Sequence, residues 1–194
     1  MKALVFLGAD SMALRDQPEP APRAPGEVLL RIDAAGICGS DLHAYHGHDP
    51  RRVPPLVLGH EAVGRLADGR RVVPNPLISR GGCARCAEGR AHLCAGRRML
   101  GMQHPGCFAE AVAAPAANLI EVPEQASDIA AALTEPAACV LHALHLSQRA
   151  LWRPVDEPME PTPTQLEKSP YPRRKMSRMT TVLLEGRARV LHGR

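Results

Sequence analysis

Along the first 122 residues the apolar positions fall in short runs cut by turn residues, without the long stripes of helical period that a bundle would need. Lys2 to Phe6, Glu27 to Ile32, Glu61 to Leu66, Arg71 to Val73, Phe108 to Ala113 and Asn118 to Val122 each read as a short strand. Turn pairs such as Pro25-Gly26 and Asp68-Gly69 punctuate them. Proline and glycine at this spacing fit a small irregular barrel, so the expected class is mainly β with α. The pattern then changes. Ser127 suits the N-cap of a helical segment, and a second helix is expected near Glu135-Pro136, where proline fits a first turn. In "PAACVLHALHL", residues 136–146, the apolar residues occupy almost every side, and a helix apolar all round expects something to cover it. No segment repeats another.

Composition adds a boundary. The 194 residues are 45% apolar, which suits one folded domain, but six prolines (154, 158, 161, 163, 170 and 172) interrupt the C-terminal stretch and block regular structure there. A folded domain over 1–153 and a Pro-rich, basic, disordered tail over 154–194 are therefore expected. Charge divides in the same way: residues 1–148 hold 14 Lys and Arg against 15 Asp and Glu, whereas 149–194 hold 10 against 5. The net charge of +4 thus belongs to the tail, and a solvated segment explains it better than a nucleic-acid partner does, even with "RRKMSR" at 173–178. "MTTVLLEGRARVL" in the same tail could form a short strand or helix. The N-terminus lacks the long apolar core of a secretory signal, and no run approaches the roughly 20 apolar residues that span a bilayer. The expected compartment is the cytoplasm, with no membrane partner. There the six cysteines stay reduced, and a thiol cluster points to metal.

Two constellations carry chemistry. "GICGSDLHAYHG" at 36–47 and "GHEAVG" at 59–64 supply Cys38, His60 and Glu61, a thiolate, an imidazole and a carboxylate that suit an open zinc site with three protein ligands. "RGGCARCAEGRAHLC" at 80–94 supplies Cys83, Cys86 and Cys94, one thiol short of a closed tetrahedral site.

These segments, with "VVPNPLIS", "GCFAEAVAAPAANLIEVPE" and "TEPAACVLHAL", occur in the order and spacing of the zinc-dependent medium-chain alcohol dehydrogenases. The chain resembles that family over residues 1 to about 157, most nearly the sorbitol, threonine and idonate type. The resemblance implies a GroES-like irregular β-barrel catalytic domain acting on a small alcohol or polyol. It further implies zinc as a Lewis acid at the hydroxyl, and NAD(P) as the hydride acceptor on a Rossmann domain. By the same resemblance Cys38, His60, Glu61 and Glu135 are the catalytic-zinc ligands. Asp41 orients His60, Ser40 passes a proton, and His43 or Tyr45 extends that relay. Cys83, Cys86 and Cys94 match three ligands of the structural-zinc lobe, and Arg80 stands where the fourth cysteine is expected. A guanidinium never deprotonates, so that lobe is expected to hold zinc weakly. His92, His104 and Cys107 could complete the set only if the loop refolded.

No G-x-G-x-x-G occurs in the sequence, and past residue 106 only Gly186 and Gly193 remain, so the Rossmann domain is expected to be missing. A chain of this kind is expected not to transfer hydride alone. The tail reads equally as a frameshift, a fusion junction or a true extension. A second expectation is a non-enzymatic, zinc-binding interaction module that docks through helix 129–146 on a second copy or on a dehydrogenase subunit. His142 and His145 match no family ligand and are expected in a core or an interface.

Overall fold

In a computed structural model, described for residues 1–22 and 24–147 in full and for 148–151 in backbone only, the chain opens with a hairpin. Strand β1 (Lys2–Gly8) pairs antiparallel with β2 (Ser11–Asp16), and its other edge takes β4 (Leu56–Val57). A second sheet of five strands has the order β10-β6-β5-β3-β9, built from β3 (Glu27–Gly36), β5 (Glu61–Arg65), β6 (Arg71–Pro74), β9 (Ala111–Pro115) and β10 (Leu119–Glu121). It curls as a half-barrel. A two-stranded ladder of β7 (Leu77–Ile78) and β8 (Arg98–Met99) flanks the cysteine loop. The helices are α1 (Gly39–Tyr45), α2 (Ala84–Ala87), α3 (Asp128–Ala132) and α4 (Thr134–Leu151).

All six expected strands are present, with shifts of up to three residues at their starts. The hairpin partner β2 and the two-residue strands β4, β7 and β8 were not expected. Ser127 does cap a helix: its hydroxyl accepts from Ala130 N–H at 3.2 Å. The boundary near 153, the disordered tail over 154–194 and the tail motifs "RRKMSR" and "MTTVLLEGRARVL" lie outside the described residues.

Two compact units divide the chain at residues 137 and 138, and α4 begins in the first and runs on into the second. The first unit holds the barrel and both thiol clusters. Its main core joins β1, β3, β6 and β9 through Phe6, Leu30, Val72, Phe108 and Val112, with Leu58 and Leu100 fully enclosed. Each such side chain contributes on the order of 1.5–3 kcal/mol by leaving water. A smaller cluster packs Ala131 and Ala132 of α3 onto Ala34, Val63 and Val73. In the second unit the described part of α4 exposes Val140, Leu141, Leu144 and Leu146. No helix among the described residues is long and apolar enough to cross a membrane.

Candidate metal centre

Two paired strands bring the first constellation together. β3 and β5 are antiparallel neighbours whose register sets Gly36, the last residue of β3, opposite Glu61, the first of β5. Cys38 follows β3 by two residues and N-caps α1, while His60 immediately precedes β5. The ligand atoms of Cys38, His60 and Glu61 consequently lie within 4.8 Å of one another. Tetrahedral zinc with bonds of 2.0–2.3 Å separates its donors by roughly 3.3–3.8 Å, so small side-chain adjustments suffice. Sulfur, nitrogen and oxygen donors together suit this borderline-soft ion. His60 and Glu61 are buried, at 2% and 5% exposure, and Cys38 is half-buried. Room for the carboxylate depends on a missing side chain: a Cβ on Gly36 would come within 2.6 Å of Glu61 Oε2. The donor set and this cradle both fit zinc.

A buried carboxylate ties the ligands to each other. Asp41 Oδ2 accepts from Cys38 N–H at 3.1 Å, and Oδ1 accepts from Gly59 N–H at 3.3 Å. The same Oδ1 lies 3.5 Å from His60 Nδ1, which makes no hydrogen bond among the described residues; with Nδ1 turned to the carboxylate, Nε2 is the nitrogen left for an ion. Burial pushes the His60 imidazole down, but the Asp41 carboxylate and the Cys38 thiol outweigh it and bring the ring up to about 10. His60 in turn draws the Cys38 thiol down against the opposing effect of burial, and burial raises the Glu61 carboxyl. The two shifts run the same way, each favouring the charged form of its group, and a bound cation would take the place of the His60 proton.

The family described as "Alcohol dehydrogenase GroES-like domain" matches residues 24–124. The chain belongs to that family. It is 38% identical over 157 residues to sorbitol dehydrogenase of Halalkalibacterium halodurans, covering 74% of this chain and 45% of that protein. Among solved structures it superposes on a candidate zinc-binding dehydrogenase of Sinorhizobium meliloti 1021 bound to NADP, with TM-score 0.68 and 35% identity over 75% of this chain and 45% of that one. It also superposes on the RspB alcohol dehydrogenase of Escherichia coli CFT073 in complex with NADH, with TM-score 0.65 and 34% identity over 70% and 42% of the two chains. The chain therefore spans a little under half the length of the relatives it matches. Zinc and NAD(P) are the cofactors of this family.

Glu135, on the first turn of α4, is not among the donors gathered around Cys38, but its charge reaches Glu61 and helps raise that carboxyl. Ser40 is half-buried and its hydroxyl lies against the Cys38 thiol. The Tyr45 hydroxyl donates to Asp10 O at 3.1 Å. His43 is exposed, its ring 6.0 Å from that of His48. His142 and His145 are exposed on α4 and not in a core, because the chain around them packs no second layer onto that face among the described residues. The residue missed altogether is Arg52, whose side chain is 1% exposed and lies 3.4 Å from Asp41.

The second constellation also converges. Cys83 N-caps the one-turn α2, Cys86 sits on it and Cys94 follows a 3-10 turn at Ala91–Leu93, with all three sulfurs within 4.8 Å. Cys83 and Cys86 are 3.5 Å apart, and the backbone and thiol of Cys86 lower Cys83 to about 7. Of the residues that could complete the set, His92 is exposed on the 3-10 turn, and Cys107 belongs to the barrel core, where burial pushes its thiol up to about 12. Arg80 is exposed, and its guanidinium leans on Gly96, with Nε 3.2 Å from where a Cβ there would sit. Arg80→Cys is expected to raise tightly held zinc from one ion per chain to two. Elemental analysis after dialysis against a weak chelator reads this out, and two tight ions in the unmodified protein would count against it.

Proposed function

We propose that the chain is the zinc-holding catalytic half of an NAD(P)-dependent alcohol or polyol dehydrogenase. The observation that carries this reading is the convergence of Cys38, His60 and Glu61 around Asp41 in a chain of this family. Cys38, His60 and Glu61 would hold zinc and leave its fourth position open, with Glu135 poised on α4 close to Glu61. Zinc, when bound, supplies Lewis acidity to a substrate hydroxyl. Asp41 fixes the ring of His60 and the backbone of Cys38, and Ser40 sets a hydroxyl beside the thiolate where a proton can be handed on.

The 194 residues contain no glycine-rich dinucleotide turn to hold the NAD(P) that accepts the hydride. Purified as it stands, the chain is expected to bind zinc and to show no NAD(P)-linked polyol oxidation. Metal analysis is the direct test. One catalytic-site zinc per chain should be lost in both Cys38→Ala and His60→Ala, and zinc content untouched by either change would sink the proposal.

The exposed Val140, Leu141, Leu144 and Leu146 favour a second reading, an interaction module that docks this helix on a dehydrogenase subunit. Size-exclusion chromatography separates the two. A monomer at tens of micromolar argues against docking, and a stable complex with a full-length dehydrogenase of the family supports it.

A further inference from the structure

Among the described residues Arg52 is the only Lys or Arg that is buried. Taking a guanidinium out of water is costly unless its donors are met, so a buried arginine marks a place where a fixed cation has work to do. Its neighbour Arg51 shows the alternative, lying 69% exposed while it pairs with Asp49. Arg52 turns inward instead. Its Nη1 donates to the carbonyl oxygen of Ser40 and lies 3.4 Å from Asp41 Oδ1, and its Nη2 donates to Ser40 Oγ at 3.1 Å. Nε has no hydrogen-bond partner, the nearest carboxylate oxygen being Asp49 Oδ2 at 3.9 Å.

These contacts share a destination. Ser40 and Asp41 are the second and third residues after Cys38, on the first turn of α1, and Asp41 in turn reaches Cys38 N–H, Gly59 N–H and His60 Nδ1. One planar fork therefore holds both Ser40 and Asp41, the residues that touch Cys38 and His60. We infer that Arg52 is a positioning residue for the zinc site: it clamps Ser40 and Asp41, and through them fixes Cys38 and His60 before metal arrives. The fork matters as well as the charge, because its donors leave in two directions that a lysine ammonium cannot satisfy at once.

The inference rests on the zinc reading above and is tested on the whole chain. Zinc affinity is measured at one pH by competition with a chromophoric chelator, alongside the melting temperature of the zinc-free protein and the visible spectrum of the cobalt-substituted form. Losses from residues that support metal ligands run to about 10–100-fold in affinity. Arg52→Met is expected to weaken zinc within that range and to alter the cobalt bands, with Arg52→Lys falling between it and the unmodified protein. Ser40→Ala should weaken zinc by itself, and should weaken it little further in an Arg52→Met background, since both act through one contact. If Arg52→Met does not fold, Arg52→Lys and Ser40→Ala carry the comparison. Zinc affinity and cobalt spectra unchanged in the folded variants, with only the melting temperature lowered, would overturn the inference. An unmodified protein that binds no zinc would overturn both readings, whereas zinc binding lost in Cys38→Ala but intact in the Arg52 variants overturns this one alone.

Discussion

Asp41→Ala is expected to lower the unfolding free energy of the zinc-free protein by about 3–5 kcal/mol, the range for breaking a buried ion pair from one side. Asp41 and Arg52 expose 2% and 1% of their side chains, so removing the carboxylate leaves the buried guanidinium with only the more distant Asp49, 3.9 Å from Nε, as countercharge. It also leaves the N–H groups of Cys38 and Gly59 without their acceptors. Asp41→Asn keeps an acceptor oxygen and the volume but not the charge, and should fall between the two. Urea unfolding followed by circular dichroism measures all three. A loss below about 1 kcal/mol for the alanine variant would place the pair at the level of a surface ion pair and remove the basis for Asp41 as the centre of the site.

Gly59→Ala is expected to be nearly as damaging, by about 2–4 kcal/mol, from backbone strain and overpacking together. Gly59 adopts φ +92°, and a Cβ there would sit 2.4 Å from the ring of Phe108, itself in the barrel core. Neither can yield cheaply, because Gly59 is also crowded by Gly101 and Gly106 on its other sides. Gly69→Ala is the control: φ is +87°, yet nothing lies within 4 Å, so only the strain of about 1–2 kcal/mol should appear. Since Gly59 precedes His60 and donates to Asp41, its replacement should also reduce zinc content, which the Gly69 variant should leave unchanged. Equal losses in the two variants would show that the Phe108 contact contributes nothing.

What could be read from the sequence follows from where each signal is written. The strands of the five-stranded sheet were legible because branched and apolar residues cluster between glycine and proline turns. β2 was not, since "SMALRD" has no buried residue and Leu14 points to solvent, leaving no alternation to detect. The strands β4, β7 and β8 have two residues each, too few for any period. Cys38, His60 and Glu61 were visible through donor chemistry and family resemblance. Their closeness depends on the pairing of β3 with β5, a long-range fact. Arg52 was invisible for a sharper reason: in "PRRV" two adjacent arginines look alike, and only the three-dimensional position of Asp41 decides which one is buried. The partner of the Tyr45 hydroxyl, the carbonyl of Asp10, was equally out of sight, because it is set by the turn between β1 and β2.

Glu61 stands on a strand and not on a loop, facing Gly36 across the β3–β5 ladder. Side chains on a strand alternate between faces, so a slip of one residue in that pairing would turn the carboxylate away from Cys38 and set a side chain in place of the glycine cradle. Metal uptake at the proposed site would therefore report on register: a chain paired one residue out would lose the donor set as well as the core. Zinc loading would then serve as a check on assembly, separating correctly paired chains from compact but misregistered ones.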